Sequence, residues 1–130
     1  METGQKGFRQ GELTRRIVGC AIEVHRQLGP GLLESAYRAC LLHELSRAGL
    51  DARSEVSIPI VFRDVELDCG FRADIIVDDA VIVEMKAVER LLPIHDAQLL
   101  TYLKLTRLRV GLLMNFNHST LKQGIRRLAL

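Results

Sequence analysis

The sequence predicts an α/β domain with an α+β-like order of elements: helices flanking a mixed sheet of about four to five strands. Three observations predict it. Two stretches with apolar residues at three- and four-residue steps come first. β-branched runs follow between residues 54 and 87, separated by short polar breaks. A further helix-patterned stretch then leads into "RVGLLMNF", a run apolar enough to lie buried in a sheet.

Taken in order, residues 1–10 are polar and Gly-containing and read as a flexible tail ahead of a single domain over 11–130. From Glu12 to Leu28, the residues Leu13, Ile17, Cys20, Ala21, Val24 and Leu28 mark an amphipathic helix. "LGPG" stops it, with Gly29 suited to a left-handed cap and Pro30 barring continuation. A second helix is predicted from Leu32 to Ala48, with a stripe of Leu33, Ala36, Tyr37, Cys40, Leu41, Leu45 and Ala48, ended by Gly49. "SEVSIPIVF" (54–62) reads as a strand in which Pro59 requires an edge or an irregularity. "RDVE" (63–66) reads as a turn, and "LDCGFRADIIV" (67–77) as a second strand with Gly70 as a bulge. "DDA" (78–80) connects tightly to a third strand, "VIVEMKA" (81–87). Pro93 can open a helix over "IHDAQLLTYLKL" (94–105). The strand at 109–116, a short helix or turn at 118–123 and a closing edge strand complete the order α-α-β-β-β-α-β with a short C-terminal element.

Composition narrows the function classes. Hydrophobic residues at 48% and charged residues at 26% place the chain among folded globular proteins and away from disordered ones. Lys+Arg of 18 against Asp+Glu of 16 leaves a net charge of +2, which permits a nucleic-acid partner without announcing one. Cys20, Cys40 and Cys69 are odd in number and lack metal-type spacing, so they read as small buried hydrophobes in a reducing compartment. The opening "METGQKGFRQGELT" lacks the apolar stretch of a secretory leader, and no run approaches membrane-spanning length. A cytoplasmic protein with no membrane partner is the expectation.

The residues that break the strand pattern lie in "VIVEMKAVER". Side chains on a strand alternate faces, so Glu84 and Lys86 share one face and Met85 takes the other. On the preceding strand Arg72, Asp74 and Ile76 share a face, and Phe71, Ala73, Ile75 and Val77 take the other. A three-residue loop at 78–80 then sets Asp74 directly across from Glu84. Facing carboxylates repel, and burial makes the cost larger. A hard divalent cation between them reverses that sign. Taken alone, the Glu-x-Lys pattern also fits an ion pair at the end of a sheet.

Asp74, nine intervening residues and then Glu84-Met85-Lys86 resemble the signature of the PD-(D/E)XK nuclease superfamily, with Ala73 where that signature has proline. Gly31, Glu34 and Tyr37 in "GLLESAY" resemble the pattern that names the GxxExxY protein family, a branch of that superfamily. Gln98 and Tyr102 in "AQLLTYLK" resemble the Gln-x-x-x-Tyr motif of RecB-like members. The resemblance covers the chain from about Glu12 to Leu130, in the right order. It implies a restriction-endonuclease-like core and a divalent-metal-dependent nuclease. Asp74, Glu84 and the Met85 main-chain carbonyl would hold Mg²⁺ or Mn²⁺, and Lys86 would orient water or face charge growing at phosphorus. Glu34 would join the catalytic set from the helix side.

The supporting candidates have ordinary readings beside this one. Glu34 fits a helix N-terminus by charge alone. Tyr37 fits core packing with its hydroxyl bonded at the rim. Gln98 and Tyr102 lie one turn apart and either line a substrate groove or cap the core. His95, three residues before Gln98, can share that face. Arg72, Lys104, Arg107, Arg109, Lys122, Arg126 and Arg127 are scattered cations, and Trp is absent, so nucleic acid (DNA foremost) would be met through phosphate contacts and not by stacking. A rival reading is a non-catalytic binding or self-assembly module, with homo-oligomer contacts through the two N-terminal helices.

Overall fold

The computed structural model describes residues 10–130. The expected tail at 1–10 lies outside the described residues except for Gln10, which opens the first helix. Helix α1 (Gln10–Leu28) buries Leu13, Ile17, Ala21 and Val24, the steps the sequence predicts. Gly29, at φ +70, ends it. Helix α2 (Glu34–Arg47) buries Tyr37, Leu41 and Leu45. This ridge, at four-residue steps, is the part of α2 that the core buries fully, with Leu42 packed beside it. Leu33 and Cys40, expected on the same stripe, are therefore exposed. The cysteines correct the expectation of burial: Cys40 and Cys69 are exposed, Cys20 is half-buried, and all are free thiols.

The strands are β1 (Ala52–Ser57), β2 (Ile60–Phe62), β3 (Val65–Leu67), β4 (Arg72–Val77) and β5 (Val81–Lys86). Helix α3 (Pro93–Thr106), β6 (Val110–Asn115), a 3-10 turn at Leu121–Gly124 and β7 (Ile125–Ala129) follow. Five strands form one sheet in the order β1-β4-β5-β6-β7. It is mixed: β5 and β6 run parallel, joined by the α3 crossover, and the other neighbours are antiparallel. The strand expected at 54–62 is broken at Pro59, which has no N–H to give a ladder. Its second half pairs with β3 as a separate hairpin, turned by Arg63 and Asp64, both at positive φ. The strand expected at 67–77 begins only at Arg72, because Gly70 at φ +83 bends the chain before it.

The sheet is covered on both faces. Ile75, Val77, Val81, Val83 and Met85 pack with α1 and α2. Ile76, Ile82 and Leu113 pack with Leu99, Tyr102 and Leu103 of α3. Gly111 sets the approach of α3, since a Cβ there would stand 2.9 Å from the Leu99 side chain. No helix among the described residues is long and apolar enough to cross a membrane.

Candidate active site

The β4–β5 ladder begins at the turn with Val77↔Val81, continues through Ile76↔Ile82 and ends at Ile75↔Val83. Its flanking ladders continue. β1 stays paired with β4 to Ser57↔Arg72, and β5 stays paired with β6 to Lys86↔Asn115. The sheet therefore forks between β4 and β5, with Asp74 and Glu84 facing each other at its mouth. Carboxylates replace the missing ladder bonds. The Asp74 N–H donates to Glu84 Oε1 at 3.1 Å, and the Met85 N–H donates to Asp74 Oδ2 at 2.8 Å. A strand residue's N–H and C=O point to the same side. The Met85 carbonyl thus also faces the fork, whereas the Lys86 carbonyl points to β6 and accepts the Phe116 N–H at 2.8 Å.

Each acid lies in the other's field. Burial, and next the charge of Asp74, push the Glu84 carboxyl from 4.5 up to about 8. Lys86, half-buried two residues on, pulls the other way with a smaller effect. The Tyr102 hydroxyl is also pushed up, first by burial and then by Glu84 and Asp74, so the phenol lies in the field of the acid pair. β4 turns at this point. Ile75 packs with α1 and α2, but Ala73, expected on the same face, packs with the α3 cluster. The neighbouring strand departs from regular geometry alongside it: Glu55, at φ +51, drops out of the β1–β4 register between Ser54 and Val56.

The other predicted residues fall into two groups. Glu34 lies at the strand end, where its Oε2 accepts the Ala87 N–H at 3.4 Å. Gln98 and Tyr102 share the wall of a cleft of about 160 Å³ with Ile60, Phe71, Thr101 and Leu105. Tyr37 and His95 are engaged elsewhere. The Tyr37 hydroxyl donates to the Gly29 carbonyl and accepts the Leu32 N–H, and its ring stacks on Phe116 at 4.5 Å. His95 Nδ1 accepts the Leu92 N–H at 2.9 Å and caps α3. Among the described residues no three His, Cys, Asp or Glu side chains gather closely enough to hold an ion, so the acids at the fork number two and Glu34 stands apart from them.

Two residues of the site escaped the sequence reading. Arg38 sends its guanidinium between Asp74 (3.8 Å) and Glu55 (3.6 Å). The available signal was its place one turn after Glu34. Asn115 is fully buried at the end of β6. Its amide donates to the Val88 carbonyl at 2.9 Å and its oxygen accepts the Val88 N–H at 3.1 Å, latching the segment that follows Lys86. A lone amide closing the apolar run "RVGLLMN" was the signal for it.

Comparison with known proteins agrees with this architecture. A family model described as the PD-(D/E)XK nuclease superfamily matches residues 11–128. No curated protein and no solved structure matches the chain. The forked mixed sheet between helices is a restriction-endonuclease-like fold, and the family match extends across nearly all of it. The chain belongs to the PD-(D/E)XK nuclease superfamily.

Proposed function

We propose that this chain is a divalent-metal-dependent nuclease of the GxxExxY type that hydrolyses phosphodiester bonds of nucleic acid, DNA foremost. One observation carries the reading. Two facing carboxylates and a main-chain carbonyl meet at the fork, and Lys86 offsets only part of what burial and Asp74 do to Glu84. That donor set is hard oxygen, the kind Mg²⁺ and Mn²⁺ take. Asp74, Glu84 and the Met85 carbonyl would hold the ion. When bound, it supplies Lewis acidity at a phosphodiester oxygen and a more acidic water.

The chain's own residues do the rest. Lys86, two residues after Glu84 and near enough for its charge to act on that carboxyl, would orient the attacking water or face charge developing at phosphorus. Glu34, whose Oε2 accepts the Ala87 N–H, would act as a general base from the helix side. Gln98 and Tyr102 line the α3 side, where a substrate backbone can lie. Tyr37 and His95 support the site at one remove: one pins the loop before α2, the other the start of α3.

Calorimetric titration with Mn²⁺ tests the reading, comparing wild type with Asp74→Ala and Glu84→Ala. Heat in the wild type and none in the variants is expected. Equal heats in all three would refute it. Cleavage assays on single- and double-stranded DNA and RNA then identify the substrate, with activity expected to fall steeply as salt rises.

A further inference from the structure

We infer that Arg38 is a displaceable resident cation of the fork, one that occupies Asp74 in the metal-free protein and has to yield that carboxylate when a divalent ion loads. The inference rests on the metal-site reading above and adds a competitor to it.

The geometry is that of a shared, loosely held charge. Arg38 Nη1 lies 3.8 Å from Asp74 Oδ1, and Nη2 lies 3.6 Å from Glu55 Oε2. Both distances exceed the roughly 2.7–2.9 Å of a charge-assisted hydrogen bond. The guanidinium is attracted to both acids and locked to neither. Its side chain is only 24% exposed, so solvent screens the attraction less than at a surface pair.

The oxygen it faces is the one a metal would need. Asp74 Oδ2 already accepts the Met85 N–H, which leaves Oδ1 as the oxygen turned to a cation. An ion on Oδ1 and a guanidinium beside the same oxygen repel each other. Glu55 supplies the alternative seat. It belongs to the adjacent strand, its carboxylate is the more exposed of the two, and its backbone at φ +51 sits outside the ladder. A non-glycine residue keeps such a conformation only where its surroundings impose it. Arg38 thus has two carboxylates within one side-chain swing, and only one of them belongs to the fork. The loading threshold for metal is set by how firmly Arg38 holds Asp74.

The test is Mn²⁺ calorimetry on three variants, with circular dichroism to verify folding. Arg38→Met removes the competitor and should tighten Mn²⁺ binding by about five- to tenfold. It should also lower the metal-free melting temperature, because Asp74 and Glu55 lose the guanidinium between them. Glu55→Gln removes the alternative seat and should weaken binding by about two- to fivefold. The two shifts are opposite in sign, so either variant alone decides if the other does not fold. Unchanged or weaker binding in Arg38→Met, or unchanged or tighter binding in Glu55→Gln, overturns the inference. Asp74→Asn separates the two levels. Wild-type heat abolished by Asp74→Asn, with Arg38→Met unchanged, removes the competitor and leaves the metal site standing. No heat in wild type or Arg38→Met removes both.

Discussion

The two ends of the β4–β5 hairpin handle acidic residues in opposite ways. At the turn, Asp78 is buried, but its Oδ1 accepts the Asp51 N–H at 2.9 Å and its own N–H donates to the Asp51 carbonyl at 2.7 Å. Asp79 beside it is ion-paired with Arg53. Each acid there has its own partner on another segment, and the ladder beside them is intact. At the fork, Asp74 and Glu84 share a ladder's worth of N–H groups and face each other. A buried carboxylate is tolerated when a fixed donor answers it. Two that face one another remain unbalanced after every nearby N–H is used. The first arrangement stabilises a fold, and the second creates demand for a cation.

The most drastic way to break the contrast is to remove one facing acid or the amine beside them. Asp74→Ala should abolish Mn²⁺ binding, and Lys86→Ala should lower turnover by about 10²–10³-fold while the melting temperature stays near wild type. Single-turnover cleavage and thermal melts check both.

A second experiment uses pH. The folded chain keeps a proton on Glu84 that the unfolded chain releases above 4.5. Metal-free stability should therefore fall as pH rises from 4.5 through about 8, then level off. Thermal melts in chelator across that range should show the decline. Glu84→Gln should flatten it, and saturating Mn²⁺ should remove it in the wild type.

A smaller effect is expected at the latch behind the fork. Asn115→Leu leaves the Val88 N–H and carbonyl without their amide partners and should cost about 2–3 kcal/mol in urea unfolding. The smallest belongs to the turn end. Asp78→Ala should cost about 1–2 kcal/mol in the same assay and leave Mn²⁺ binding unchanged. A large loss of metal affinity in Asp78→Ala would erase the distinction between the two ends.

The facing of Asp74 and Glu84 was legible because it is a one-dimensional property. A three-residue connection and strict alternation determine which residues meet across a hairpin, and both are visible in "DIIVDDAVIVE". The three helices were legible for the same reason, through their apolar periodicity, the glycines that end α1 and α2, and Pro93 at the start of α3. Arg38 was not, because its meeting with Asp74 depends on how α2 lies across the sheet. Asn115 reaches Val88 from 27 positions away, a distance that local pattern does not encode. The expectation for Ala73 failed because alternation presumes a regular strand, and the sheet turns where Glu55 leaves the ladder. Cys40 and Leu33 failed because periodicity gives the centre of a helix face and not its width.

The fork also bears on the order in which this chain folds. Asp74 and Glu84 are ten positions apart and meet through a hairpin, an event of microseconds. Glu34 reaches Ala87 across 53 positions and must wait for α2 to dock. Contact separation thus predicts that the two acids meet before α2 docks, and an ion held at the proposed site would favour closure of that hairpin.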